Sequence, residues 1–262
     1  MKRILTASIL IPIIVWTVLF APYGVFLLVM ALVGLGAFRE YDRIAAAHGL
    51  APSGWLGMAA GVVFLVSPLV ATPLLIALTG VLMAVQLRLD DFAKALPSAG
   101  AAVLGVVYIF GGWHCALLLR EESAHWLMIA LAVSWAGDTA AMYVGKTWGK
   151  HKLAPSVSPG KTREGGDRVG GRGGALTAAI YAHYFLPGES LATALVVGAI
   201  GNIAGQIGDL SESAFKRGAG MKDSGTMLPG HGGWLDRIDS TLFSVPAVYV
   251  SLLVLHSFVA AL

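Results

Sequence analysis

Charged residues are scarce in this chain of 262 residues, of which 13% are Asp, Glu, Lys or Arg and 56% are hydrophobic. A soluble domain carries roughly 25% charged residues, so the composition excludes an ordinary soluble protein and indicates a polytopic membrane protein. The single cysteine, Cys115, excludes an intramolecular disulfide, and its apolar surroundings indicate a packed thiol. No internal repeat is visible, which disfavours the commonest transporter architectures.

Long apolar runs dominate what is present, and they predict an all-α membrane protein with about nine transmembrane helices. The runs are 4–21, 23–38, 55–71, 73–87, 100–119, 125–145, 173–187, 191–208 and 241–261. The first is long enough to span a bilayer, so we expect a transmembrane helix there and not a cleaved signal peptide. We predict about five N-terminal spans in 1–124 and a catalytic transmembrane region in 125–262.

The basic residues predict the orientation of these helices. If the N-terminus is cytoplasmic and nine spans alternate, 17 of the 18 Lys and Arg residues fall in cytoplasmic segments, with Arg120 the exception. Cytoplasmic loops of membrane proteins carry an excess of Lys and Arg. We therefore expect a cytoplasmic N-terminus, with the loops 146–172 and 209–240 facing the cytoplasm, where they could share one site.

The loop 209–240 concentrates charges of both signs between two apolar runs. If the preceding helix continues for one or two turns, Asp209, Glu212, Ser213 and Lys216 share one of its faces. Asp236 and Asp239 follow at i and i+3. A solvated helix end, with one aspartate favouring a helix N-terminus, is the alternative interpretation. Carboxylates that can hold metal beside cations that can hold phosphate predict phosphate chemistry at a membrane surface.

Two other features bear on the chemistry. Asp138 lies within the sixth apolar run, where an ionisable group is costly; we place it near the metal site or the substrate path, with a structural pairing to a lysine as the alternative. Gly160-Lys161-Thr162 does not form a P-loop, because position 155 is proline where that motif needs glycine. The histidines lack ligand spacing beside a carboxylate, so we do not expect a histidine metal site.

The loop 209–240 resembles the signature of the phosphatidate cytidylyltransferases, also called CDP-diacylglycerol synthases. The matching run is Ser213-x-x-Lys216-Arg217, Lys222-Asp223 and Pro229-x-His231-Gly232-Gly233-x-x-Asp236-Arg237-x-Asp239. A second block is similar: Asp138, Ala141, Tyr143, Gly145, Gly149-Lys150-x-Lys152-Leu153-x-Pro155 and Ser158-Pro159-Gly160-Lys161-Thr162-x-Glu164-Gly165. The resemblance covers about 125–262, while the N-terminal half matches in hydropathy. Trp234, Arg163 and the glycine-rich stretch 166–174 depart from the family pattern.

The resemblance implies a CTP-dependent nucleotidyltransferase of phospholipid biosynthesis that converts CTP and phosphatidate to CDP-diacylglycerol and pyrophosphate. An oxygen of the phosphatidate phosphate attacks the α-phosphorus of CTP, so no protein nucleophile is needed. The two polyanions must be brought together, which implies Mg²⁺ held by carboxylates, with a second cation left open. Positioning and electrostatics can then supply most of the rate.

We assign the residues as follows. The expected metal ligands are Asp209, Asp236, Asp138 and Asp239. The expected catalytic residues are Asp209, Lys216, Asp236 and Asp239. The expected substrate-binding residues are Ser158, Lys161, Thr162, Ser213, Arg217, Lys222, Asp223, His231 and Arg237.

Two alternatives remain open at this point. One is a CTP-dependent transferase or kinase that acts on another membrane lipid, either a polyprenol or an archaeal-type lipid. The other is an ion-coupled transporter in which the aspartates line an ion path. We expect CTP and phosphatidate as partners, no nucleic acid, and leave a homodimer open. We expect the protein in the inner, or plasma, membrane with its active site facing the cytoplasm.

Overall fold

A computed structural model describes residues 2–67, 71–166, 171–227 and 232–260, so His231 lies outside the described residues. The helices are α1 (Lys2–Leu19), α2 (Tyr23–Ala47), α3 (Gly54–Val66), α4 (Ala71–Val85), α5 (Ala95–Gly105), α6 (Gly112–Glu122), α7 (Ala124–Trp148), α8 (Gly171–Phe185), α9 (Leu191–Gly218), α10 (Leu235–Ile238) and α11 (Thr241–Ala260). Two short strands, β1 (Lys152–Ala154) and β2 (Ser158–Thr162), form a hairpin. A π-helical turn, Val106–Gly111, joins α5 to α6.

The fold confirms a helical membrane protein. Five helical segments of the described chain are long and apolar enough to cross a membrane: Tyr23–Ala47, Phe92–Glu122, Ala124–Trp148, Leu191–Gly218 and Leu235–Ser257. Ser8–Leu19, Gly54–Val66 and Thr72–Arg88 are apolar but shorter. The predicted run 100–119 lies inside one continuous helical stretch that includes the π-helical turn.

The chain forms two compact units that interleave along the sequence. The first unit comprises Met1–Thr17, Ala21–His114 and Phe215–Ile238. The second comprises Val18–Phe20, Cys115–Ala214 and Asp239–Leu262. The consecutive regions 1–124 and 125–262 expected from the sequence stay a prediction.

Glycines allow the helices of the first unit to pack closely around one aromatic side chain. A Cβ at Gly61 of α3 would lie 2.1 Å from the Phe110 ring, and one at Gly34 of α2 would lie 3.0 Å from it. Phe110 is fully buried. Small residues that let helices approach are typical of membrane-protein interfaces. The ring therefore anchors the π-helical turn against α2 and α3.

Small residues also hold α8 against α9 in the second unit. A Cβ at Gly198 would lie 2.4 Å from the Cβ of Ala178, and one at Gly174 would lie 2.7 Å from the carbonyl oxygen of Gly198. Close to this contact, the buried Asn202 amide donates to the Val133 carbonyl at 2.7 Å. Because an apolar environment offers no water, this hydrogen bond satisfies both groups and ties α9 to α7.

The hairpin is the element that the sequence did not predict, since 146–172 was expected to be a loop. Its strands are antiparallel, with Lys152 opposite Thr162. Glu164, just after β2, closes the hairpin: its Oε2 accepts from the backbone N–H groups of Lys150 (3.1 Å) and His151 (3.2 Å). Its Oε1 lies 2.6 Å from His151 Nδ1. The hydrogen bonds from the His151 side chain and the backbone lower the pKa of Glu164 to about 2.

Helix α9 extends further than its apolar run, as expected. The run ends at 208, whereas the helix ends at Gly218. Gly220, with φ of +69°, adopts the left-handed conformation that glycine tolerates, and the Met221 N–H donates to the Lys216 carbonyl at 2.8 Å. The extra turns carry the charged residues predicted to share a helix face.

Candidate active site

The predicted site residues fall into two groups of charged side chains, one in each unit. In the first unit, Lys216 at the end of α9 forms an ion pair with Asp236 of α10, with Nζ and Oδ1 2.5 Å apart. The two side chains are 9% and 5% exposed. Breaking such a buried pair leaves an uncompensated charge, which costs about 3–5 kcal/mol. The pair therefore fixes the end of α9 to the start of α10.

Backbone N–H groups complete the environment of the Asp236 carboxylate. The Ser224 N–H lies 3.1 Å from Oδ1 and 2.9 Å from Oδ2, and the Gly233 N–H donates to Oδ2 at 2.8 Å. Both oxygens thus already accept charge-assisted hydrogen bonds, which are shorter and stronger than neutral ones. The carboxylate holds the polypeptide before and after 228–231 in a defined geometry.

A second buried carboxylate supports this network from α2. Glu40, which is 2% exposed, accepts through Oε2 from the Ser224 hydroxyl at 2.8 Å and from the Leu235 N–H at 2.9 Å. The Asp236 N–H in turn donates to the Ser224 hydroxyl at 3.3 Å. Ser224 therefore links the two carboxylates through its backbone and its side chain.

The other predicted substrate-binding residues of the first unit are exposed: Arg217, Lys222, Asp223 and Arg237. The Arg217 guanidinium donates to the Met221 carbonyl at 3.0 Å. Exposure leaves the charged ends of these side chains accessible to an anionic substrate. Their substrate contacts stay predictions.

The second unit contains a group of four acidic residues, which we call the acidic cluster: Asp138, Asp209, Glu212 and Asp239. The carboxylates of Asp209, Glu212 and Asp138 all lie within electrostatic range of Asp239. The Ser240 hydroxyl donates to Asp138 at 3.4 Å, and the Ser240 N–H donates to Asp239 at 2.7 Å. Glu212 and Asp239 are buried, at 1% and 8% exposed. Burial strengthens the mutual repulsion of these carboxylates.

The hairpin brings a cation to the acidic cluster. The Lys161 ammonium of β2 forms an ion pair with Asp209 Oδ2, and the Ser213 hydroxyl donates to Asp209 Oδ1 at 3.3 Å. The contact between Ser213 and Asp209 agrees with their predicted common helix face. Lys161 and Asp209 come from the two segments that the sequence analysis singled out, and here they meet within one unit.

Thr162 is buried against the end of α7 and the start of the hairpin. It is 4% exposed, and a Cβ at Gly149 would lie 2.6 Å from its Cγ2. Its hydroxyl accepts from the Gly165 N–H at 3.3 Å. Ser158, at the start of β2, is half-buried. Substrate contacts by Ser158 and Thr162 stay predictions.

The acidic cluster fits a divalent cation by its chemistry. It brings four carboxylates and the Lys161 ammonium together, and hard cations such as Mg²⁺ prefer carboxylate oxygens. The ammonium already against Asp209 shows that the cluster accepts positive charge. Within 2–67, 71–166, 171–227 and 232–260, however, no three His, Cys, Asp or Glu side chains form a ready-made metal site. Asp236 lies in the other unit, where Lys216 and two N–H groups use its oxygens.

Sequence reasoning missed two residues of these networks, Glu40 and Ser224. Glu40 was placed beyond the apolar run 23–38, but α2 continues to Ala47 and buries it. A glutamate within the charged stretch that directly follows an apolar run is the signal that could have identified it. Ser224 directly follows Lys222-Asp223 of the signature, and its role depends on contacts that spacing does not reveal. Glu164 was matched in the second block without a role, and its contacts supply one.

The chain is similar to known proteins over much of its length. Residues 1–255 match the family described as the cytidylyltransferase family. The chain is 40% identical over 156 residues to a phosphatidate cytidylyltransferase of Staphylococcus haemolyticus and to one of Staphylococcus aureus. It is 37% identical over 156 residues to that of Staphylococcus epidermidis. Each match covers 59% of this chain and 59% of the relative, so the chain spans under two thirds of the length of these relatives. The resemblance drawn from the motifs is confirmed.

Proposed function

Because the chain belongs to the cytidylyltransferase family, we propose that it transfers the cytidylyl group of CTP to phosphatidate, giving CDP-diacylglycerol and pyrophosphate. The names of the curated relatives support phosphatidate as the acceptor. The reaction needs no covalent enzyme intermediate, since the acceptor phosphate is itself the nucleophile. The protein must bind two polyanions, align them and offset their repulsion.

The observation that carries the proposal is the acidic cluster, in which Asp138, Asp209 and Glu212 lie within electrostatic range of Asp239, and the Lys161 ammonium pairs with Asp209. Four carboxylates in one region of a membrane protein are costly unless a cation joins them. A nucleotidyltransferase has a use for such an arrangement, because its triphosphate substrate binds divalent cations.

We propose that Asp138, Asp209 and Asp239 hold Mg²⁺, with Glu212 completing the charge of the cluster. When bound, Mg²⁺ neutralises charge on the reacting phosphates and orients them. Lys161 pairs with Asp209 in this structure. If a cation occupied the acidic cluster, the Lys161 ammonium would be available to contact a substrate phosphate. Asp236, whose oxygens already bind Lys216 and two N–H groups, we assign to orienting Lys216.

We propose that charged residues of the first unit bind phosphate. Lys216 offers an ammonium that Asp236 holds in one position, and a preorganised cation stabilises developing phosphate charge without reorganisation. Arg217, Lys222 and Arg237 are exposed and supply further donors for phosphate, Arg being suited to bidentate contacts. Asp223 and the unplaced His231 keep their predicted substrate contacts.

We also propose nine transmembrane segments with a cytoplasmic N-terminus, in the plasma membrane. Each of the nine apolar runs coincides with a helix or a continuous helical stretch over the described residues, which supports the number. The distribution of 17 of the 18 basic residues supports the orientation. The bacterial relatives support the plasma membrane. The site would then face the cytoplasm.

A radiolabel assay tests the proposed activity. The purified protein in mixed micelles is given CTP labelled in the α-phosphate, or in a parallel reaction in the γ-phosphate, together with phosphatidate, a polyprenol, a polyprenyl phosphate or an archaeal-type lipid acceptor. We expect label in a chloroform-soluble product only from α-labelled CTP with phosphatidate, and none in excess chelator. Label in lipid from γ-labelled CTP would indicate a kinase. Label with a different lipid would replace phosphatidate as substrate. An absence of label with every lipid, together with ion flux in vesicles, would favour a transporter.

A further inference from the structure

The first unit contains a buried carboxylate that the proposed reaction does not use directly. We propose that Glu40 is a positioning residue: it holds the polypeptide on both sides of 228–231 so that Asp236 can orient Lys216. This inference rests on the proposed function for its consequence on activity. Its structural part rests only on contacts within the first unit.

The first argument is that one oxygen of Glu40 joins two separate pieces of chain. Oε2 accepts from the Ser224 hydroxyl at 2.8 Å and from the Leu235 N–H at 2.9 Å. Ser224 precedes 228–231 and Leu235 follows it. Charge-assisted hydrogen bonds of this kind are about twice as strong as neutral ones. Glu40 therefore joins the described residues before 228–231 to those after them, and we call this link the clasp.

The second argument is that the network passes directly from Glu40 to the ion pair. Ser224 donates its hydroxyl to Glu40 and its N–H to both oxygens of Asp236, at 3.1 Å and 2.9 Å. Asp236 contacts Lys216 at 2.5 Å. If Glu40 is lost, Ser224 loses its acceptor, and the carboxylate that orients Lys216 loses a fixed donor.

The third argument is that the chain leaves room for this carboxylate. A Cβ at Gly233 would lie 2.2 Å from Glu40 Oε2, and a Cβ at Gly225 would lie 2.3 Å from Oε1. A side chain tip usually moves aside at little cost, but Glu40 is buried and held by two hydrogen bonds. Glycine at both positions is thus a consequence of the carboxylate between them.

The fourth argument is that α2 presents a continuous surface to the same segment. Gly36 lies one turn before Glu40 on the same face, and its Cα faces the Trp234 ring, so that a Cβ there would lie 3.0 Å from Cδ1. Helix α2 therefore contacts two consecutive residues, Trp234 and Leu235, through packing and through a hydrogen bond. The N-terminal half of the chain, which lies outside the two matching blocks of the sequence analysis, therefore contributes to the geometry of the signature.

Hydrogen exchange tests the clasp without substrate. The variants are Glu40→Ala, Glu40→Gln and the matched control Asp42→Asn. Asp42 lies on the same helix, is also buried, and accepts from the N–H groups of Ser53 (2.9 Å) and Gly54 (2.8 Å) at the start of α3. In E40A we expect the amides of 221–227 and 232–238 to exchange at least about tenfold faster, since a lost charged hydrogen bond has that scale. In D42N those amides should exchange as in the wild type.

Steady-state kinetics test the positioning. We expect E40A to lower kcat roughly 10- to 100-fold with the KM for CTP within about threefold, because misplacing Lys216 acts on the reacting arrangement. E40Q should recover most of kcat, since its amide oxygen can accept both hydrogen bonds. Wild-type kcat and wild-type exchange in E40A would overturn the proposal. So would faster exchange spread evenly over α2 and α3, which would indicate general packing.

A second variant covers the case in which E40A does not accumulate. Ser224→Ala removes only the hydroxyl between Glu40 and Asp236, and it should speed exchange of the same amides and lower kcat in the same way. Unchanged exchange and unchanged kcat in S224A would also overturn the proposal. If the wild-type protein fails to label lipid from CTP, the proposed function falls, whereas the exchange result still decides whether Glu40 is the clasp.

Discussion

The two units hold buried charge in opposite ways. In the first, Asp236 has a lysine and backbone donors around it, and Glu40 has two donors on one oxygen. In the second, Asp239 lies within range of three other carboxylates, and Lys161 is paired with one of them. The first arrangement surrounds the Asp236 carboxylate with the protein's own donors, so it holds the end of α9 against α10. The second brings four carboxylates close together, which is why we propose that it binds a cation.

This difference separates two kinds of sequence signal that look alike. Asp236 and Asp239 are three residues apart in one motif, and their spacing offers no reason to treat them differently. Their partners do. An aspartate whose oxygens are filled by the protein's own donors is suited to positioning, and an aspartate among like charges is suited to binding metal.

The acidic cluster provides the largest expected effect. We expect Asp209→Asn and Asp239→Asn each to lower cytidylyl transfer by roughly a thousandfold or more, the scale on which a preorganised electrostatic group acts. Thermal unfolding of D239N in detergent should be unchanged or occur at a higher temperature, because this variant removes like-charge repulsion. Glu121→Gln, an exposed carboxylate of the same unit, is the control and should keep full activity. Near-wild-type transfer in D239N would contradict the assignment.

The ion pair of the first unit should behave differently, losing activity and stability together. Lys216→Met leaves the Asp236 carboxylate buried without its cation, which should cost about 3–5 kcal/mol of unfolding free energy. The double variant with Asp236→Asn should regain much of that stability while staying inactive. Denaturant unfolding in detergent, followed beside the transfer assay, measures both. Equal stability of K216M and the wild type would remove the distinction between the two units.

A smaller effect is expected from filling the space that Glu40 occupies. Gly233→Ala places a Cβ 2.2 Å from Glu40 Oε2, and such overpacking typically costs about 1–3 kcal/mol. Gly100→Ala is the matched control in the same unit, since nothing lies within 4 Å of its Cβ. That helical site should gain about 0.5–1 kcal/mol. If the unfolding midpoints of G233A and G100A shifted in the same direction, the Glu40 side chain would not be held rigidly in place.

The smallest effect concerns the hairpin that carries Lys161. The pKa of Glu164 is lowered from 4.5 to about 2, so its contribution to stability is complete above the unfolded value and is lost as pH falls through about 2. Glu164→Gln should therefore loosen the hairpin at neutral pH as acid does in the wild type. Amide exchange over 150–165 measures this, with the rest of the chain as an internal reference. Equal exchange in E164Q and the wild type at pH 7 would show that the hydrogen bonds of Glu164 are dispensable for the hairpin.

The sequence predicted a helical membrane protein, the extension of α9 and the residues of the signature, because hydropathy and helix periodicity are local. It did not predict the hairpin, since Lys152 pairs with Thr162 across residues that read as a loop. It also missed Glu40, whose partner Leu235 is nearly two hundred positions away. Partner identity, which separates Asp236 from Asp239, depends on tertiary contacts that no spacing contains.

Binding of Mn²⁺, observed by electron paramagnetic resonance on the purified protein without CTP, tests the central claim most directly. Mn²⁺ takes the same oxygen ligands as Mg²⁺ and reports its own immobilisation. We predict a bound Mn²⁺ in the wild type, in K216M and in E121Q, and its loss in D239N. Wild-type Mn²⁺ binding by D239N would contradict the claim that the acidic cluster holds the cation.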